Sequence, residues 1–210
     1  MKQKILLLTG IIAAALYFYG LYTNNHLLRM VTKPIPLFVL MASIKPGSHY
    51  NNYIFTGLLL SVIGDVLLET SPSMFLYGLI AFLLAHLAYI TAFLKRDRRF
   101  EILPLIPILV FGTVVYWFLY SSLQKMAVPV LIYLIVILTM SWRAIAQRNF
   151  NKIAVFAATG SIFFVLSDSI IAFNKFYIEI PHAKWIIMFT YWTAQTLIFF
   201  STQDIKENAS

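Results

Sequence analysis

Gly57-Leu-Leu-Leu-Ser61-Val-Ile-Gly64-Asp65-Val-Leu-Leu68 and Gly160-Ser-Ile-Phe-Phe164-Val-Leu-Ser167-Asp168-Ser-Ile-Ile171 decide how this chain is read. Each is an apolar run built as glycine, six residues, a small residue, aspartate, one residue and two aliphatics. A carboxylate at the centre of a membrane helix costs about 2.5–3.5 kcal/mol even on the mild insertion scale. Two of them in matched surroundings imply a use.

Working outward, the composition supports a membrane setting. Of 210 residues, 60% are hydrophobic and 11% charged, where a soluble domain carries about 25% charged residues. The mean hydropathy is +0.81. The net charge of +8 reads as basic loops on one side of a bilayer rather than as nucleic-acid binding. Cysteine is absent, which excludes disulfides, thiolate metal ligands and a cysteine nucleophile.

Spanning the hydrocarbon takes about 20 apolar residues. Eight apolar runs are found, at 5–22, 30–44, 53–68, 74–94, 102–120, 126–142, 153–173 and 184–200. The first follows Met1-Lys-Gln-Lys4 without a clean small-x-small cleavage site, so it reads as a retained helix. The second is short and holds Pro34 and Pro36, which predict an irregular start. The expected fold is all-α: one domain over residues 1–210, eight transmembrane helices in one bundle.

Charge tests the count. Eight crossings put Lys2, Lys4, Lys45, Lys95, Arg96, Arg98, Arg99, Arg143, Arg148, Lys152 and Lys206 on one side. Arg29, Lys125, Lys175 and Lys184 fall on the other, and Lys33 lies inside the second run. Both termini are therefore expected in the cytoplasm, with Lys95-Arg96-Asp97-Arg98-Arg99 an orientation signal. Lys33, Asp65 and Asp168 then share one depth in the outer half of the bilayer. The aspartate segments lie four helices apart, so related halves would form a parallel 4+4 repeat.

Gly57, Ser61 and Asp65 share a helix face, as do Gly160, Phe164 and Asp168. Glycine and serine there also fit plain close packing. Two carboxyls in one low-dielectric cavity do not both ionise readily. One protonated and one ionised carboxyl is an acid–base pair. Lys33 is a cation for that site or a snorkelling lysine. His86 with Tyr89, and Tyr191 with Gln195, are spaced to face a shared interior. They read as site groups or as hydrogen-bonding glue between helices. No metal-ligand pattern surrounds His86.

Thr32-Lys33-Pro34-Ile35-Pro36, Ser61-x-x-Gly64-Asp65-x-Leu67-Leu68 and Gly78-Leu-x-x-Phe82-x-x-x-His86-x-x-Tyr89 together resemble the lysoplasmalogenase family. Phe163-x-x-x-Ser167-Asp168-x-x-x-Ala172 and Tyr191-x-x-Ala194-Gln195 extend the resemblance over nearly the whole chain. The resemblance implies an eight-helix hydrolase of the lysoplasmalogen vinyl-ether bond. It implies Asp65 and Asp168 as the catalytic pair and no cofactor. Lys33, Ser61, His86, Tyr89, Ser167, Tyr191 and Gln195 are then candidate substrate-binding residues. The expected partners are a lysophospholipid substrate and membrane lipids, with the oligomeric state open. The expected location is a bacterial cell (inner) membrane. Two other classes fit the residues: a proton-coupled transporter using both aspartates, and a metal-dependent hydrolase with His86 and both aspartates as ligands.

Overall fold

The computed structural model describes residues 2–203. Lys206, assigned above to the cytoplasmic side, lies outside them. Among the described residues the regular elements are all helical. They are α1 (Lys2–Tyr22), α2 (His26–Thr32), α3 (Ile35–Ser43), α4 (His49–Thr70), α5 (Phe75–Arg96), α6 (Leu105–Leu123), α7 (Ala127–Ala146), α8 (Ala154–Phe176) and α9 (Ala183–Phe200). Among the described residues, five stretches are long and apolar enough to cross a membrane by length and composition. They are Lys4–Tyr22, His49–Thr70, Pro72–Arg96, Leu105–Ala146 and Ala154–Phe176. The fourth contains both α6 and α7, which fold back at a 3₁₀ turn over Gln124–Met126.

The second apolar run is two short helices rather than one. Asn25 caps α2 by accepting from the Leu28 amide at 3.0 Å. Pro34 and Pro36 carry no amide hydrogen, so helical bonding cannot run on through them. The chain breaks at Lys33-Pro34, and α3 starts afresh. That break turns Lys33 into the bundle, where it is buried.

The tightest helix pairs are α4 on α5 and α8 on α9. Each aspartate-bearing helix thus packs on the helix that follows it. The glycine eight residues before each aspartate permits the approach. A Cβ on Gly57 would fall within the Tyr89 ring. A Cβ on Gly160 would lie 2.8 Å from the Ala194 carbonyl oxygen. Between the two hairpins lies a core that includes Phe82, Tyr89, Phe164 and Tyr191.

The end of the bundle carrying most of the basic residues is tied shut by its own charges. Arg96 lies over the Tyr50 ring at 3.3 Å and donates to the Ser201 carbonyl at 2.6 Å. Arg143 donates to the carbonyls of Asp97 and Arg99 at 2.7 and 2.8 Å. The hydrogen bond from Arg99 holds the Asp97 carboxyl below the usual carboxylate range. Part of the basic run read as an orientation signal therefore also clamps helix ends together. Burial of Arg96 and Arg143 depends on partners far along the chain, which local charge patterning does not reveal.

Candidate functional site

Asp65 and Glu69 stand one turn apart on α4, so they share a face. Opposite them lie Arg29 of α2 and Lys33 at the break, also one turn apart. The Lys33 ammonium sits between the two carboxylates, 3.6 Å from Asp65 and 3.4 Å from Glu69. Arg29 Nε donates to Glu69 at 2.8 Å. Tyr191 of α9 donates its hydroxyl to the second oxygen of Asp65 at 2.8 Å. The Asp65 side chain is only 3% exposed. A carboxylate buried that deeply is costly unless paired. Here two cations face two carboxylates, and the charges balance.

Asp168 on α8 has a different setting. It is half-buried, and its hydrogen-bond donor is the Tyr133 hydroxyl of α7. Among the described residues no lysine or arginine pairs with it. It lines a small apolar cavity of about 50 Å³ with Tyr133, Leu68, Phe75, Leu79, Phe82, Val130 and Ile171. The two carboxyls are joined by a chain of rings. Tyr191 meets Phe82 and Phe164 edge-on at 5.8 and 5.5 Å. Phe164 meets the His86 ring at 4.7 Å, and His86 meets Tyr133 at 5.4 Å.

A larger cavity of about 460 Å³ adjoins the small one, since Leu68, Phe75 and Ile171 line both. Its polar lining includes Arg29, Lys33, Glu69, Asn174, Lys175 and Lys184. It opens at the end of the bundle where α4 turns into α5 and α8 turns into α9.

Of the residues singled out from sequence, Lys33 and Asp168 line these cavities. Asp65 pairs with Lys33 and Tyr191 packs on Phe82, each of which lines a cavity. Tyr89 donates to Gln195 at 2.7 Å, locking α5 to α9. Ser61 and His86 are fully buried, Ser61 beside Tyr89, and neither His86 nitrogen has a hydrogen-bond partner among the described residues. Ser167 turns from the cavity and donates to the Ile187 carbonyl at 3.2 Å. Three further residues belong to this candidate site: Arg29, Glu69 and Tyr133. Arg29 and Glu69 read in sequence as ordinary charges at the ends of apolar runs. Their spacing to Lys33 and Asp65, four residues in each case, is the signal that marks them. Tyr133 is one of 12 tyrosines and carries no such mark.

Among the described residues no three His, Cys, Asp or Glu side chains are grouped to hold a metal ion. His86 and the two aspartates form no such group.

The model of the YhhN family matches residues 28–202. The chain is 34% identical over 161 residues to the lysoplasmalogenase TMEM86A of Bos taurus, covering 73% of this chain and 66% of that protein. It is 34% identical over 158 residues to the lysoplasmalogenase TMEM86B of Homo sapiens, covering 75% and 66%. It is 28% identical over 177 residues to a lysoplasmalogenase of Mycobacterium tuberculosis, covering 79% and 67%. The chain thus spans slightly less than two thirds of the length of the two mammalian relatives. No solved structure matches the chain. Nothing in these likenesses supports a transporter.

Proposed function

We propose that this chain, which belongs to the YhhN family, hydrolyses the vinyl-ether bond of lysoplasmalogen-type lysophospholipids. The products are a fatty aldehyde and a glycerophospho head group. The relatives' names support the reaction class. The observation that carries the mechanism is the unequal setting of the two carboxyls: Asp65 is ion-paired and walled off, while Asp168 faces a cavity without a cation.

A vinyl ether is cleaved by protonating the alkene carbon that is not bonded to oxygen. The oxygen-bearing carbon becomes an oxocarbenium ion. Water adds there and loses a proton, and the hemiacetal collapses to aldehyde and alcohol. The barrier lies largely in proton transfer to carbon, which calls for a positioned acid. A carboxyl among apolar side chains with no counter-ion is suited to carry that proton. Asp168 is therefore the catalytic acid, and its carboxylate takes a proton back from the attacking water. Tyr133 orients it by donating to one oxygen. Water reaches the site from the adjoining polar cavity.

Asp65 acts from behind the wall as a positioning group. Its negative charge, oriented by Tyr191, favours the cation that develops beyond the Phe82 ring. The logic is that of glycosidases, where two carboxyls serve an oxocarbenium-like state in different roles. Lys33 serves as the counter-ion of Asp65 and Glu69. Ser61, His86, Tyr89, Ser167 and Gln195 shape and hold the walls.

The proposed setting is one bundle that crosses a bacterial cell membrane eight times. The bent α2–α3 pair counts as one crossing, both termini are cytoplasmic, and the halves are a parallel repeat. The test of function is aldehyde release by purified protein from a lysoplasmalogen and from its saturated ether analogue, with and without chelator. Release from the vinyl ether alone, unchanged by chelator, is expected. No aldehyde from an active-site-intact preparation would overturn the assignment.

A further inference from the structure

The larger cavity holds two cations beyond those in direct ion-pair contact. Arg29 and Lys33 are committed to Glu69 and Asp65. Lys175, near the end of α8, and Lys184, in the first turn of α9, also line the cavity. Neither has a carboxylate within 4 Å among the described residues. The Lys175 ammonium stands 4.3 Å over the Phe75 ring, a residue that lines both cavities. The turn between α8 and α9 thus brings two exposed ammonium groups to one rim. Four cations, Arg29, Lys33, Lys175 and Lys184, line the cavity against one lining carboxylate, Glu69, with Asp65 paired to Lys33, so the cavity is net positive.

That distribution selects a ligand. A rim of two lysines attracts a phosphate as point charges do. An apolar pocket adjoins the floor, so the ligand is amphipathic. We propose that Lys175 and Lys184 bind the phosphodiester of a single-chain lysophospholipid, whose ether-linked carbons enter the pocket facing Asp168. This specificity site rests on the hydrolase reading, yet its binding is measurable without turnover.

The experiment is equilibrium binding to purified protein of a saturated 1-O-alkyl lysophosphocholine, which has no bond to cleave. An alkylglycerol of equal chain length and soluble glycerophosphocholine are the controls. Wild type is expected to prefer the phosphate-bearing amphiphile to the alkylglycerol. Lys175→Gln and Lys184→Gln should each weaken it about threefold and together about tenfold, the scale of exposed charge pairs. Alkylglycerol binding should not change, and Lys184→Arg should restore most of the affinity. Unchanged lipid affinity in the double variant would overturn the site. So would an equal loss of both amphiphiles, which would mark the lysines as structural. Soluble glycerophosphocholine binding as tightly as the lipid would mark a free phosphodiester as the ligand and overturn the lipid assignment. Lysine-dependent binding without aldehyde release from the vinyl ether would sink the hydrolase reading and leave this site standing.

Discussion

In the proposed mechanism, replacing Asp168 by asparagine keeps its size and removes the proton delivered to the alkene carbon. Asp168→Asn should lower kcat by about 10²–10⁴, the usual contribution of a general acid, with the protein still folded. Tyr133→Phe removes one hydrogen bond to the same carboxyl and should lower kcat by up to about tenfold, on the scale of a neutral hydrogen bond. Asp65→Asn leaves Lys33 paired with Glu69, so its loss of kcat should be the smaller of the two aspartates. Aldehyde release measured on all three variants checks the order. A larger loss at Asp65 would reverse the roles. The sequence shows which charges are out of place but not what they face. Lys33, Asp65 and Asp168 stand out because apolar runs surround them. Glu69 and Arg29 do not, because charges at run ends are common. Tyr133 reaches Asp168 across 35 residues, a pairing that helix packing alone creates.

At the scale of helices, the matched glycines are a test of packing. Gly160→Ala would push a methyl group to 2.8 Å from the Ala194 carbonyl oxygen, which backbone cannot readily yield. It should destabilise the protein by about 1–3 kcal/mol, as overpacking does. Gly10→Ala is the control, since its Cβ would meet Val39 at an ordinary 3.6 Å. Thermal unfolding in detergent should separate the two; equal melting temperatures would mean that α8 and α9 can part without cost. The helical class and the membrane character were legible because hydropathy and length carry both. The proline pair announced an irregular second run. Where that irregularity would point Lys33 was not legible, since the direction of a break depends on what packs around it.

For the whole molecule, the proposed sidedness rests on the charge distribution. The chain has no cysteine, so a single introduced one reports cleanly. Lys2→Cys and Asn208→Cys, the latter outside the described residues, should both resist membrane-impermeant thiol reagent added to intact cells. Labelling at only one of them would mean an odd number of crossings. The clamp of Arg96 on Tyr50 and Ser201 has a consequence of its own. It stoppers one end of the bundle, while the cavity opens at the other. Under the proposed function, a lipid substrate is then expected to be recognised from one leaflet only. Reconstituted into sealed vesicles in mixed orientation, the protein should show latency: molecules whose mouth faces the lumen stay silent to lipid supplied outside, and permeabilising the vesicles unmasks them.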